Sequence, residues 1–249
     1  MELPKEYIAI IKTAVAPLNF RSEEELTRLL SKGILVNGGK TWFSRNKNGE
    51  HCELISPKEC MNPGAYEYRP GQKSRFGQDV YRPYSGRFKA HARARFLSPG
   101  IMYTVNLVFK FLQHQNSMSM FFVLKYQLGE ETESSISYLT FTREDGWREV
   151  ELYQFTSDST CFDLDIQFQN QMNDHDFTYF ETIIEGIEFR PVEKVEEEVV
   201  EDEKVDMEPT SDSDNLSGIG SIYLNQDLKK WLLTVMPDYL GLYAKSNPK

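Results

Sequence analysis

Between Arg87 and Phe96 apolar and basic side chains alternate without interruption, Phe88, Ala90, Ala92, Ala94 and Phe96 against Arg87, Lys89, His91, Arg93 and Arg95. Only an extended strand sorts a period of two onto opposite sides, so this stretch is a strand with one face for a core and one cationic face. Leu97-Ser98-Pro99-Gly100 then breaks the run with a turn built on Pro and Gly. Beyond it Tyr103, Val105, Leu107, Phe109 and Phe111 alternate with Thr104, Asn106, Val108 and Lys110, and a second strand follows. The two read as one paired unit with one side meant for a core.

The same texture runs through much of the chain. Ile34 to Val36, Lys40 to Ser44, Met118 to Tyr126, Ile136 to Thr142, Trp147 to Phe155, Phe162 to Phe168 and Ile183 to Arg190 read as further strands. Asn37-Gly38-Gly39, Asn48-Gly49 and Asp145-Gly146 supply turn signals between them. Many strands with little helix between them predict an all-β fold: an antiparallel β-sandwich of jelly-roll type with short flanking helices at both ends. Residues 5 to 17 read as the first helix, ending before Pro17. A second opens on the capping box Ser22-Glu23-Glu24-Glu25, buries Leu26, Leu29 and Leu30, and stops at Lys32-Gly33. Between Cys52 and Pro83 the periodicity fails amid Pro, Gly and the four tyrosines Tyr66, Tyr68, Tyr81 and Tyr84. That region is predicted to be a long loop across the sandwich, where rigid β scaffolds carry binding groups.

Charge is unevenly distributed. The chain of 249 residues carries 28 Lys and Arg against 38 Asp and Glu, a net charge of −10 and a pI near 5.0. Nucleic-acid binders owe their affinity to a basic surface, so this balance argues against one. After Pro191, Glu193, Glu196, Glu197, Glu198, Glu201, Asp202, Glu203, Asp206 and Glu208 face only Lys194 and Lys204. Such a segment buries too little to offset chain entropy and is predicted to be disordered. Leu224, Leu228, Trp231, Leu232 and Val235 then recur at helical spacing up to Pro237. This helix either docks back or binds a protein partner through Leu228, Trp231 and Leu232. The predicted organisation is a helical lead over 1–31, a sandwich over 32–192, an acidic linker over 193–217 and a helical segment over 218–249.

Cys52, Cys60 and Cys161 are far apart and form no CxxC pair, which suggests neither a disulfide framework nor a zinc site but reduced, intracellular thiols. Ile8-Ala9-Ile10-Ile11, flanked by Glu2, Lys5, Glu6 and Lys12, is too short and too charged for a secretory signal or a membrane span.

Several segments, in order, carry a family resemblance. They are Glu25-Leu26 with Ile34-Leu35-Val36-Asn37-Gly38-Gly39-Lys40, Cys52, Ser74-Arg75-Phe76, Leu97-Ser98-Pro99 with Tyr103 and Leu107-Val108-Phe109-Lys110, Asp145-Gly146-Trp147 with Glu149-Val150-Glu151-Leu152 and Phe155, and Glu185-Gly186-Ile187-Glu188-Phe189-Arg190-Pro191. Over roughly residues 20 to 192 the chain resembles the phloem protein 2-like plant proteins, which include the Nictaba-like lectins. The resemblance implies a jelly-roll sandwich, a nucleocytoplasmic (cytoplasmic or nuclear) or phloem location, and binding of N-acetylglucosamine oligomers or N-glycan cores, hence glycoproteins. Lectin members carry a stretch of the form Thr-Trp-x-x-Asn-Pro-x-Tyr-Trp-x-Trp, whose tryptophans stack on sugar. Here the corresponding stretch is Cys60-Met61-Asn62-Pro63-Gly64-Ala65-Tyr66-Glu67-Tyr68, without a Trp. Family members often carry an F-box ahead of the domain or a joined kinase domain; the opening of this chain is too short for the first, and no phosphate loop or kinase catalytic loop marks the second.

Candidate sites follow. Tyr66 and Tyr68 share one side of any locally extended backbone, as a sugar platform needs and as loop anchors equally would, and Trp42 is a third stacking candidate. The strip Arg87, Lys89, Arg93 and Arg95 is either a solvated face paired with acids such as Glu149, Glu151, Asp163 and Asp165, or a docking strip for an anionic partner, the 193–208 segment being the nearest. Trp147 is expected in the core. Asp174-His175-Asp176 has metal-ligand residue types, but adjacent positions on a polar loop seldom converge on one ion, so neither metal nor cofactor is expected. His51, His91 and His114 are scattered and no nucleophile–base grouping emerges from their order, which leaves an enzyme the least supported class. Two functions remain: a carbohydrate-binding module, or an interaction module of the same fold that recruits a partner through its acidic linker and terminal helix.

Overall fold

The computed structural model describes residues 5–61, 65–68, 73–77, 79–83, 87–111, 121–169 and 182–193, all within one unit, Met1–Glu196. The predicted linker beyond Glu193, the terminal helix with Leu228, Trp231 and Leu232, and Asp174-His175-Asp176 lie outside the described residues.

Antiparallel strands dominate. Among the described residues they form a nine-stranded and a four-stranded sheet, the sandwich expected. The large sheet runs in the order β1 (Ile34–Val36), β2 (Thr41–Arg45), β3 (His51–Ile55), β13 (Thr182–Pro191), β7 (Met102–Phe111), β11 (Arg148–Thr156), β10 (Phe141–Thr142). A hairpin of β4 (Ala65–Tyr68) and β5 (Asp79–Arg82) joins it through β5 on β13. The small sheet is β6 (Arg87–Ala94), β12 (Phe162–Gln169), β8 (Phe121–Leu128), β9 (Ser135–Leu139). Between them lies the main core, including Ala90, Ala92 and Ala94 from β6, Tyr103, Val105, Leu107 and Phe109 from β7, Ile166 and Phe168 from β12, and Ile187 and Phe189 from β13. Each strand contributes every second residue, because successive side chains leave a strand on opposite sides.

The opening alternation is seen directly, since the basic residues of β6 are exposed while Ala90, Ala92 and Ala94 are buried. The pairing differs from expectation. β6 pairs with β12 in the small sheet and β7 with β11 and β13 in the large one, so the two strands face each other across the core and are not a hairpin. The 97–101 turn is held by chain from the β11–β12 connection: Leu97 N–H donates to Thr160 O, Gly100 N–H to Ser157 O, and Ser157 N–H to Ile101 O. Two crossings between the sheets, running in opposite directions, therefore lace together, and periodicity alone cannot tell a crossing from a hairpin.

The 52–83 region is more ordered than the loop expected there. It holds most of β3, a short helix α3 (Pro57–Cys60) and the β4–β5 hairpin. Prolines and glycines fall between these short elements and obscure the alternation.

At the N-terminal end α1 (Lys5–Thr13) stops before Pro17, because Ala14 bridges to Val36 and Val15 N–H donates to Leu35 O. α2 (Glu23–Lys32) begins at the predicted cap, where Ser22 Oγ accepts from Glu25 N–H at 3.2 Å, while Glu25 reaches to the amide of Arg21 at 2.6 Å. Tyr7, Ile10, Leu26 and Leu30 pack with Val36 and Phe43 into a helical layer. α2 ends at Gly33, whose φ is +84° and whose added Cβ would sit 2.3 Å from the Trp42 ring.

Candidate functional site

Opposite the main core, the large sheet presents a second face. Its registers align one row across five strands: Trp42 with Leu54, Leu54 with Glu188, Glu188 with Asn106, and Asn106 with Glu151. Neighbouring strands lie about 4.8 Å apart, so Trp42 and Glu188 are about 10 Å from each other. Leu54, Val80, Val108, Trp147 and Ile183, with Trp42 and Phe76 against them, form the apolar part of this face.

Four ions make up its polar centre. Arg143 grips Glu188 with both guanidinium nitrogens, at 2.9 and 3.1 Å, and Arg190 grips Glu149 likewise at 2.8 and 2.5 Å. Cross contacts of 3.5 Å between Arg143 and Glu149 and 3.4 Å between Arg190 and Glu188 close the quartet. Forked donors matched to carboxylates are the strong form of charge-assisted hydrogen bond. Burial alone would depress the Arg143 guanidinium; Glu188 and Glu149 outweigh it, and the group is held above its ordinary range. Arg190 shows the same reversal. Asn106 and Thr104 lie beneath, joined by a 2.8 Å hydrogen bond.

A strap crosses the same face. Arg75 donates to Glu185 from both its amide and its side chain, each at 2.7 Å, and reaches Asp145 at 2.8 Å. Glu185 is raised by burial, against the pull of Arg75. Trp147, 1% exposed, donates its indole N–H to Lys73 O, and Lys110 lies 4.4 Å from its ring centre. Trp147 is thus buried, but under the strap and not between the sheets. At the β13 bulge, φ of Gly186 is +153° and an added Cβ would lie 2.1 Å from Ile55 O, so only glycine fits.

Carboxylates and an amide in one row with an indole, with guanidinium groups beside them, can meet hydroxyls on an apolar ring. Cys52 also lies near this face; burial pushes its thiol up to about 12, which disarms it as a nucleophile. Among the described residues no cluster of His, Cys, Asp or Glu is arranged to hold a metal, and no helix is long and apolar enough to cross a membrane.

The candidate stacking residues do not converge. Trp42 is half-buried over Gly33 and aligns with Glu188. Tyr66 and Tyr68 lie on β4, where Tyr66 pairs with Tyr81 and Tyr68 with Asp79. Tyr81 in turn pairs with Ile184, and both are core residues, so that row belongs to positions of the opposite face. In the basic strip Arg87, Lys89 and Arg93 are exposed on β6 and Arg95 just beyond its end, but His91 and Arg93 contact Asp163, His91 contacts Asp165, and Arg95 approaches Glu59. Two of the acids named from sequence serve this strip. Glu149 instead joins the quartet on the other sheet, and Glu151 accepts from Gln154. Sequence reasoning missed the quartet, although its signal was there: Glu188 and Arg190 alternate with the apolar Ile187 and Phe189, a charged face on a strand that lies mid-sheet.

The phloem protein 2 family model matches residues 63–191, more than half of the chain. The chain belongs to the phloem protein 2 family. Two Arabidopsis thaliana proteins are similar over most of its length. One, a putative F-box protein PP2-B2, is 25% identical over 224 residues, covering 78% of this chain and 70% of the relative. The other, F-box protein At2g02240, is 26% identical over 217 residues, covering 76% and 66%. A solved insecticidal delta-endotoxin, Cry8Ea1 from Bacillus thuringiensis, aligns with 48% of the chain and 20% of its own at 16% identity and a TM-score of 0.30, too slight a likeness to carry an argument. The family match contains the β4–β5 hairpin, the strap and all four members of the quartet.

Proposed function

We propose that this phloem protein 2 domain is a non-catalytic carbohydrate-binding module, taking N-acetylglucosamine oligomers or N-glycan cores on the outer face of its large sheet. The observation that carries the reading is the row from Trp42 through Leu54 to Glu188 and Asn106, an indole beside planar hydrogen-bonding groups. Stacking would hold the apolar side of a pyranose, and the lone pairs left on Glu188 and Glu149 would meet its hydroxyls. Family membership supports the same chemistry. Tyr66 and Tyr68 on the hairpin lie outside that row and are a separate candidate pair, to be tested apart from it.

Titration of chitotriose into the full chain tests it. Trp42→Phe, chosen to keep the packing on Gly33, is expected to weaken binding severalfold, and Trp42→Ala by about tenfold, since a stacked ring contributes on the order of 1 kcal/mol. Tyr66→Ala with Tyr68→Ala separates the two platforms. No heat and no shift with chitooligosaccharides or N-glycans, from a folded chain, would sink the carbohydrate reading.

The names of the two relatives favour a second reading, in which the domain serves protein recruitment. The sandwich would then be a scaffold and Leu228, Trp231 and Leu232 the contact. A pull-down lost on changing those three residues to Ala, with no glycan bound, is the outcome that selects it.

A further inference from the structure

Phe96 stands where the helical layer, the small sheet and β3 meet. Its ring packs against the helical cluster and edge-on to Phe43, centroids 6.0 Å apart. Its N–H donates to Glu53 Oε1 at 2.5 Å, and the Arg95 N–H donates to the same oxygen at 2.9 Å. Its carbonyl lies 2.7 Å from His51 Nδ1; a carbonyl only accepts, so Nδ1 carries the hydrogen. Ser98 completes the grip: its Oγ accepts from His51 N–H, its N–H donates to the Tyr103 hydroxyl, and that hydroxyl donates to His51 O.

Two titratable side chains thus hold one residue by both of its backbone polar groups, and neither is paired with an opposite charge. Glu53 is 0% exposed and its second oxygen, Oε2, has no partner. Arg95 is the cation acting on it, and Tyr103 on β7 is a neighbouring titratable group. His51, 6% exposed, lies between the rings of Tyr7 and Phe43; Glu6 from α1 and Arg45 from β2 are the charges that act on it. We propose that Glu53 and His51 form a proton-operated latch on Phe96, shut while both are neutral and loosened when Glu53 gives up its proton.

The titration directions agree with the geometry. Burial raises Glu53 from 4.5 to about 7 against the opposing pull of the two amides and Arg95. Burial also lowers His51 below 6.5, despite its bond to Phe96. From 4.5 up to about 7 the folded state favours the neutral acid at Glu53, and just below 6.5 it favours the neutral imidazole at His51, whereas the unfolded chain there favours a carboxylate and an imidazolium. Where both preferences hold, each state carries one proton in a different place, and the two slopes of stability with pH offset each other. Above 6.5 the folded state alone keeps a proton, and stability falls as pH rises toward 7. The His51 contribution is lost as pH falls below 6.5 through its lowered folded value. Near 7 the folded protein itself loses the Glu53 proton, and an orphaned anionic oxygen then calls for water at the turn.

Urea unfolding of the full chain from about pH 4.5 to 8, with Glu53→Gln and His51→Gln, reads out this compensation. Relative to wild type, Glu53→Gln is expected to lose stability as pH falls below 6.5, and His51→Gln as pH rises from 4.5 to 7. Each slope approaches tenfold in the folding constant per pH unit at its steepest. Protection of the Arg95 and Phe96 amides from hydrogen exchange, corrected for intrinsic rate, should fall about tenfold through pH 7 in wild type and stay level in Glu53→Gln. Variant curves parallel to wild type, or protection unchanged through pH 7, overturn the latch. Should either variant fail to fold, a carbon-13 titration of the wild-type Glu53 carboxyl decides: a midpoint near 7 supports the latch, and one in the ordinary carboxylate range overturns it.

Discussion

Glu188 and Glu53 sit on adjacent strands and differ by one step of register, Leu54 opposite Glu188 and Phe189 opposite Glu53. That step puts them on opposite faces of one sheet. On the outer face Glu188 meets two guanidinium groups at 2.9 and 3.4 Å. On the inner face Glu53 meets two backbone amides and leaves one oxygen alone. Nearly equal burial gives opposite electrostatics, because the outer face is lined by long strand and loop side chains that bring counter-charge, whereas the core can offer only the backbone. A buried carboxylate in this fold therefore meets either guanidinium counter-charge or backbone amides alone, according to which side of β3 and β13 it faces.

The sharpest way to break the comparison is to remove the counter-charge outside. Arg143→Met should destabilise by about 3–5 kcal/mol at neutral pH, since Glu188 loses its bidentate partner and Glu149 one of its two guanidinium contacts. Chemical denaturation checks it. Arg75→Met should follow at about 2–3 kcal/mol, because Glu185 keeps the residue-75 amide but loses the guanidinium donor and its counter-charge; the fluorescence of Trp147 beneath the strap would report the loosening. Glu53→Gln should go the other way, gaining about 1 kcal/mol above pH 7, as removal of an uncompensated charge outweighs the new amide donor it buries. A loss there, equal to that of the outer-face variants, would erase the distinction. On β6, Arg93→Ala should change stability by less than about 0.5 kcal/mol and do so only at low salt, because its contact with Asp163 is exposed.

Much of the fold was legible. Period-two alternation in 87–96 and 102–111, and the turn pairs between runs, mark strands by local geometry that survives any tertiary arrangement. The capping box at Ser22 is equally local. The hairpin inside 52–83 was hidden because its strands, Ala65–Tyr68 and Asp79–Arg82, are four residues each and set among prolines and glycines. Too few alternations occur there to outvote the turn formers. The candidate site was less legible for a different reason: Arg75, the Arg143–Glu149 hairpin and Glu188 come from three separate parts of the chain, and nothing local says that those parts meet.

What the sequence determined by itself is the set of strands and the apolar side of each, since side-chain direction along an extended backbone depends on nothing but parity. What only the tertiary structure decided is which strands are neighbours. It sent β6 and β7 to opposite sheets, laid Trp42 in a row with Glu188, and gave Glu53 amides where Glu188 found arginines. Partner choice depends on the closure of loops and the covering of faces by distant segments, and those are properties of the whole chain.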